Sequence, residues 1–539
     1  MTDRGADLLI RAGAVHSLVP GQAAQRALAV RGGRVAAVSA APDGLDHLVG
    51  AATQVLDLPG ATVLPAFDDT HTHLVFAALG AHDVPVHRAR TIPELLDLIR
   101  QRAAVTPAGE WIRTTTNWQE LNLAERRMPT AAELDEATDR HPVLVKRGGH
   151  NDVVNSYALR LAGITQDTPE PPGGTIGRDA DGRLNGRLLD NAQHLVERLV
   201  PAPDRNQRVE GVRLASHAYA ATGIGTVRDC AVTPEDYAVF LAARESGALG
   251  TRVRTLISAL GLTCAAQVED LLDVMEQWRD SADPWLSVWG VKFGLDGGLE
   301  AGATEEPYAC DHSYSGMIAW ESQALVEAVE AVVRRGWRVG THAYGDRAVR
   351  TLLDVYERVL ERNPGLPAGT LVMEHGGLAG PEQQARAVAL GIPVTIQQPL
   401  LHDTAEVEEG FWGPERVARL FPARGWIDLG AQVSAGSDFP VGQFGAMRSV
   451  WGLTTRQTVI GVKGPEHAIG YAEALTLHTA NAARLLGEEH LRGVLTPGRL
   501  ADLTVWDRDP AHCSGEALRD LMPTHTFVGG RLVASTDAR

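Results

Sequence analysis

Apolar and polar positions fall into two rhythms along this chain. Near the start, LLIRAGAV, ALAVRGGRVAAV and TQVLDLPGA alternate or run apolar over strand lengths, divided by Gly and Pro turns, and near the end DLTVWDRDP and THTFVGGRLVAS repeat the style. Neither end has enough strands to bury a sheet alone, so both are expected to pair in one small β-sandwich domain, residues 1–61 with 487–539. Between them, short apolar strands alternate with polar loops and helix-period segments. ATVLPAFDD is followed by GIGTVRD, RTLISAL, WGVKFGLDG, WRVGTHA, TLVMEHG, IPVTIQQ and AQVSAGSD, with amphipathic stretches such as SQALVEAVEAVVRRG and RAVRTLLDVYERVLER among them. Eight such units predict parallel strands joined by crossover helices, a (β/α)8 TIM-like barrel over residues 62–486 in an α/β fold.

Unit one is too long. About 150 residues separate its strand from the next, far beyond an ordinary barrel loop. Residues 80–205 therefore read as an insertion within the barrel domain. It carries helical pieces (TIPELLDLIRQRAA, TAAELDEAT) and PEPPGGTIGRDADG, taken as a turn-rich loop that lacks the GKS or GKT of a phosphate cradle.

Composition narrows the class. With 44% hydrophobic and 22% charged residues the chain is globular rather than disordered. Lys+Arg of 50 against Asp+Glu of 67 gives a net charge of −17, which argues against nucleic acid or an anionic membrane as main partner and leaves open an acidic small-molecule substrate in a local basic pocket. The four cysteines form no CxxC pair, so neither a disulfide framework nor a thiolate zinc site is expected. No secretion signal or 18-residue apolar run is visible, so a soluble cytoplasmic protein is expected.

The polar residues that close the barrel strands carry the chemistry. His71 and His73 follow strand one, Lys292 lies in strand four, and His342, His375 and Asp438 end strands five, six and eight. Barrel active sites are built at that end. Residues i and i+2 of an extended chain point the same way, with Cα atoms roughly 6.5 Å apart, so His71 and His73 can converge on one ion. An isolated HxH is more often two hydrogen-bonded turn histidines, a lone His after a strand is usually a core residue, and Asp438 alone could cap a helix. Their joint placement favours a metal centre. Lys292 is flanked by Trp289, Val291, Phe293 and Leu295, where an ammonium is costly to bury. It could pair with Asp296 or Glu300. Alternatively, as a free amine, it could take up carbon dioxide and become a carbamate able to bridge two metal ions.

The segments LPAFDDTHTHL, GGHNDVVNSYAL, PPGGTIGRDADG, GVKFGLDGGL, THAYGD, EHGG, AGSDFP and GVLTPGRLADLTVWDRDP together resemble the metal-dependent amidohydrolase superfamily, in the branch that holds N-substituted formamide deformylase and related uncharacterised amidohydrolases. Asp68 and Ala66 depart from the usual opening motif, where an aliphatic residue and Gly are common. The resemblance implies two divalent metal ions, with zinc expected and iron or manganese open. His71, His73 and Asp438 would hold one, His342 and His375 the other, and carboxylated Lys292 would bridge them. It implies a hydrolase of C–N bonds (an amide, N-substituted formamide or cyclic amide), in which a metal-activated hydroxide attacks and Asp438 is general base, then acid. The alternatives are a deaminase, lactonase or isomerase on the same centre, or a non-catalytic metal-binding scaffold. His150, Tyr308 and Asp311 are candidate substrate contacts. Lys146 and Arg147 could anchor an anionic group, and Asp346 could either orient His342 or cap a helix. Relatives of this kind often dimerise, so a homodimer is expected.

Overall fold

The computed structural model describes residues 5–148, 151–171, 173–279 and 283–536. It divides into two compact units, one formed by residues 1–75 and 212–539, the other by residues 76–211.

Eight strands of the larger unit form one parallel sheet, in chain order Phe67–Thr72, Ile224–Val232, Arg252–Ser258, Leu286–Gly294, Arg338–Ala343, Leu371–His375, Val394–Ile396 and Val433–Ala435. The two end strands meet: Thr70 Oγ1 donates to the Ala435 carbonyl at 2.9 Å, so the sheet curls into a nearly closed barrel. Neighbouring strands pair in parallel, as in Lys292 beside Gly340 and Ala343 beside His375.

The helices form where the sequence repeats an apolar stripe. Ser322–Arg334 buries Leu325, Val326, Val329, Val332 and Val333 on one face, and Glu321 opens it by accepting from Ala324 N at 2.9 Å. Each such side chain contributes about 1.5–3 kcal/mol relative to exposure. Asp346–Arg362 buries Val349, Leu352, Leu353, Tyr356 and Val359 in the same way. Its Tyr356 hydroxyl lies 2.8 Å from Thr341 Oγ1 and 3.0 Å from the Val372 carbonyl, which pins the helix across strands five and six.

The first strand differs from expectation. Gln54–Pro65 belongs to a separate sheet, and the barrel strand starts only at Phe67. The segment ATVLPAFDD therefore straddles two sheets. An unbroken apolar run cannot reveal where a chain passes from one sheet to the next. That separate sheet has seven strands. Leu8–Val15, Gln25–Arg31, Arg34–Ser39 and Gln54–Pro65 come from the start of the chain, and Leu503–Trp506, His525–Val528 and Arg531–Ser535 from the end. Leu503–Trp506 pairs antiparallel with Gln54–Pro65 and joins the two groups. Their inward side chains share one core, with Leu8, Ile10, Leu28 and Val63 packed with Leu503, Val505 and Phe527.

Asp68, the departure from the usual motif, faces away from the site. Its carboxylate takes both contacts from buried Arg492 at 2.5 Å.

The unit of residues 76–211 has a five-stranded sheet of its own, in order Ile112–Arg113, Val143–Arg147, Asn151–Val154, Leu184–Asp190 and Gly174–Arg178. TIGR, read from sequence as part of a loop, is the edge strand of that sheet, with Ile176 opposite Leu188. Its flanking glycines and two-residue alternation are too short a signal to mark a strand.

Candidate active site

Strand one ends by aiming two imidazoles at the same point. His71 Nε2 lies 3.4 Å from Asp438 Oδ1, and His73 Nε2 lies 3.2 Å from the same oxygen. One ligand atom from each of the three falls within 4.8 Å of the others. The approach of strands one and eight depends on Gly436, where a Cβ would lie 2.5 Å from His71 N. Asp438 N donates to the His71 carbonyl at 2.8 Å, and Asp69 accepts from Ser437 N and Oγ at 2.9 and 2.6 Å. The carboxylate two residues before His71 thus holds the residue next to Asp438.

Behind these donors lies a polar network that reading the sequence missed. Glu374, fully buried, takes His71 Nδ1 at 2.6 Å, Arg228 NH2 at 2.6 and 2.7 Å, and Thr395 Oγ1 at 2.7 Å. A carboxylate can only accept, so His71 carries its hydrogen on Nδ1 and turns the Nε2 lone pair toward Asp438. Thr395 also accepts from Gln397 Nε2 at 2.9 Å, and Gln397 Oε1 lies 2.8 Å from His375 Nδ1. One continuous chain of hydrogen bonds therefore orients two histidines. The visible signal was a Glu and an Arg inside apolar strands buried on both faces, where each needs a partner.

His375 and Asp438 both have positive φ, 74° and 58°. For residues other than Gly this is an uncommon conformation, concentrated at functional sites. It lets Glu374 and His375, adjacent in the chain, serve one cluster. The His375 ring lies 4.5 Å from that of His71 and 4.4 Å from that of His342. His342 Nε2 is 3.2 Å from the Gly297 carbonyl and 3.3 Å from Asp296 Oδ1. Asp296, considered from the sequence only as a partner for Lys292, also accepts from Ala303, Tyr344 and Gly345 N at 2.9, 3.0 and 2.9 Å. It ties the ends of strands four and five together.

Lys292 is 3% exposed, and its Nζ lies 3.4 Å from His71 Nε2. Among the described residues it makes no ion pair with Asp296, Glu300 or any other carboxylate.

Electrostatics fit a ligand set. Burial, followed by the charge of Lys292, pushes His71 down to about 4, and burial holds His375 well below its usual value, so both are neutral donors at neutral pH. Burial opposes ionisation of Asp438, but the hydrogen bond from His73 and the surrounding imidazoles outweigh it and hold the carboxyl well below its usual range. Burial likewise opposes ionisation of Glu374, and Arg228 and His71 reverse it. Two oriented neutral imidazoles and a carboxylate are a donor set that a divalent metal accepts. His71, Cys230 and Glu374 also lie close together, but Arg228 already occupies that carboxylate.

The other candidates have local partners of their own. Tyr308 is buried, its hydroxyl donates to the Gly302 carbonyl at 2.8 Å, and its ring packs on Tyr314 and Trp412. Asp311 is exposed and turned back on its own loop, accepting from Ser313 N at 2.9 Å. Asp346 begins a helix and accepts from Glu305 N at 2.8 Å and Arg347 N at 3.0 Å. Lys146 pairs with Glu197 and Arg147 with Glu120, so neither charge is free to anchor an anion. His150 lies outside the described residues.

Residues 54–534 match the amidohydrolase family. The chain belongs to that family. It is 30% identical over 545 residues to N-substituted formamide deformylase of Arthrobacter pascens, covering 98% of each chain. It is 28% identical over 550 residues to Protein LONG AFTER FAR-RED 3 of Arabidopsis thaliana, covering 98% of this chain and 91% of the other. Its fold matches the crystal structure of an uncharacterized metal-dependent hydrolase from Pyrococcus furiosus, with a TM-score of 0.73 at 22% identity, over 94% of this chain and 99% of that one. Among the described residues, no helix of this hydrolase is long and apolar enough to cross a membrane.

Proposed function

We propose that this hydrolase cleaves a C–N bond of a small amide, N-substituted formamide or cyclic amide at a centre of two divalent metal ions, zinc being the expected metal. One observation carries the reading: His71 Nε2 and His73 Nε2 converge on Asp438 Oδ1 at 3.4 and 3.2 Å. The 30% identity to a protein named N-substituted formamide deformylase supports the substrate class. His71, His73 and Asp438 would hold one ion, and His342 and His375 the second. Lys292, as its carbamate, would bridge the two. The lack of a carboxylate partner for this buried amine among the described residues supports the modification, since a carbamate replaces an unpaired cation by a metal-ligating anion.

Metal bound there supplies Lewis acidity toward the carbonyl oxygen and lowers the pKa of water, to about 7 at favourable zinc sites. The chain supplies the rest. Asp438, ionised and seated between two imidazoles, accepts a proton from the attacking water and returns it to the leaving nitrogen, so that water and amide become a carboxylic acid and an amine. Glu374 and Gln397 hold the ring tautomers of His71 and His375 throughout.

Metal analysis of the purified chain, joined to a turnover screen of N-substituted formamides, other amides, lactones and imines, tests this. Two metal equivalents and chelator-sensitive amide hydrolysis are expected. Full activity after chelation would overturn the metal mechanism. Turnover of lactones or imines without amides would overturn the bond assignment.

A further inference from the structure

Beside the histidine cluster lies a buried polar pair that hydrolysis as proposed does not use. Tyr344 follows His342 by two residues. Its ring stacks on the His342 imidazole with centroids 6.2 Å apart, and stands edge-on to His375 at 5.7 Å. Trp412 and Phe421 close two further sides at 5.3 and 5.8 Å. The tyrosine is held at both ends. Its N–H donates to Asp296 Oδ1, the same oxygen that lies 3.3 Å from His342 Nε2. Its phenol donates to Glu408, on the helix Gln398–Trp412 that follows strand seven.

Glu408 is an expensive choice for that position. It is fully buried, and among the described residues its Oε2 makes no hydrogen bond, the neighbouring Thr404 hydroxyl donating to the Leu400 carbonyl at 2.9 Å. An unsatisfied buried polar atom costs about 1–3 kcal/mol, whereas Leu or Met would fill similar space without that cost. What Glu408 adds over an apolar residue is an acceptor for one phenol. That phenol decides whether a ring packed against two imidazoles has one orientation or several.

We propose that Glu408 is a positioning residue: by anchoring the Tyr344 hydroxyl it fixes the ring wedged against His342 and His375, and so sets the orientation of the two imidazoles assigned to the second metal ion. The inference rests on the two-metal reading above. Burial pushes the Glu408 carboxyl up to about 8, which makes glutamine a close match for its neutral form.

The test follows zinc leaving the zinc-loaded full chain for an excess of a chromogenic chelator. Glu408→Leu and Tyr344→Phe each should speed release of one zinc equivalent by about tenfold, the scale on which supporting shells act. The double variant should be no faster than either single one, and Glu408→Gln should keep the wild-type rate. kcat should fall in parallel while KM holds. If Glu408→Leu does not fold, Tyr344→Phe set against Glu408→Gln decides the matter. Wild-type release rates in Tyr344→Phe, multiplicative effects in the double variant, or Glu408→Gln behaving like Glu408→Leu would each overturn the positioning role while wild type still binds two zinc equivalents. A wild-type chain that binds no zinc would instead remove the metal centre on which the role rests.

Discussion

Glu374→Gln deletes one charge and almost no volume from the middle of the barrel. The carboxylate it replaces has four short contacts, two to Arg228, one to His71 and one to Thr395. Arg228 is itself fully buried, so the variant leaves a guanidinium without its counter-charge. Breaking a buried ion pair from one side costs about 3–5 kcal/mol. A glutamine also offers only one acceptor oxygen, and its amide hydrogens face donors. Either Arg228 or His71 Nδ1 loses its acceptor. Loss at His71 frees the ring to change tautomer, for which about 10- to 100-fold in metal affinity or activity is expected. Urea unfolding of the metal-free protein reads the first cost, and zinc titration of the folded protein reads the second. Thr395→Val is a milder neighbour, since it removes a neutral donor to Glu374 and the acceptor for Gln397 Nε2 and should cost about 1–3 kcal/mol with no charge left unpaired. A Glu374→Gln protein that matches the wild type in both stability and zinc affinity would refute the argument that this carboxylate organises the site.

Asp438→Asn should keep the fold and lower turnover by about 10²- to 10⁴-fold, read as kcat on the best amide found; comparable turnover would remove its acid–base role. Lys292→Ala should lose at least one metal equivalent by elemental analysis, and retention of two would refute the bridge. Asp152 is buried, neither carboxylate oxygen has a hydrogen-bond partner among the described residues, and burial pushes it up to about 7 from its usual 3.8. Its neutral form is the one the fold favours, so its stabilising contribution is complete below pH 3.8 and is lost as pH rises through about 7. Asp152→Asn should therefore stabilise the chain at pH 8, by up to about 4 kcal/mol, and much less at pH 5. Equal effects at the two pH values would contradict this. Glu488 shows the opposite sign: burial opposes its ionisation, but Arg492 and Arg254 hold it down at about 2 against its usual 4.5. Glu488→Gln should cost stability at pH 6 and progressively less as pH falls through 2, measured by urea unfolding.

The barrel was legible because its strands are apolar, short and separated by amphipathic helices, a pattern in which the periodicity itself changes at each boundary. Strand one was the exception. There the apolar run continues from one sheet into another, and only pairing partners far along the chain distinguish Pro65 from Phe67. Candidate site residues stood out in the sequence where a polar side chain falls at or just after the end of a strand, as with His71, His375 and Asp438. Glu374 and Arg228 were not singled out, and Asp296 was read only as a partner for Lys292, because each works by touching another group rather than by its own position in a motif. Contacts between residues as distant as Arg228 and Glu374 have no local trace. The edge strand Gly174–Arg178 was hidden for a related reason, since its order comes from its neighbour rather than from its own composition.

The weave of the terminal sheet has a consequence for how the molecule comes into being. Gln54–Pro65 is made early but pairs with Leu503–Trp506, and Phe67–Thr72 pairs with Ile224–Val232 only after the intervening unit has been synthesised. On the ribosome, the strand that carries His71 therefore waits with one edge bare until most of the polypeptide has emerged. Such long-range closures are slow and leave unpaired edges exposed, so chaperone demand during synthesis and poor refolding from denaturant should accompany this architecture.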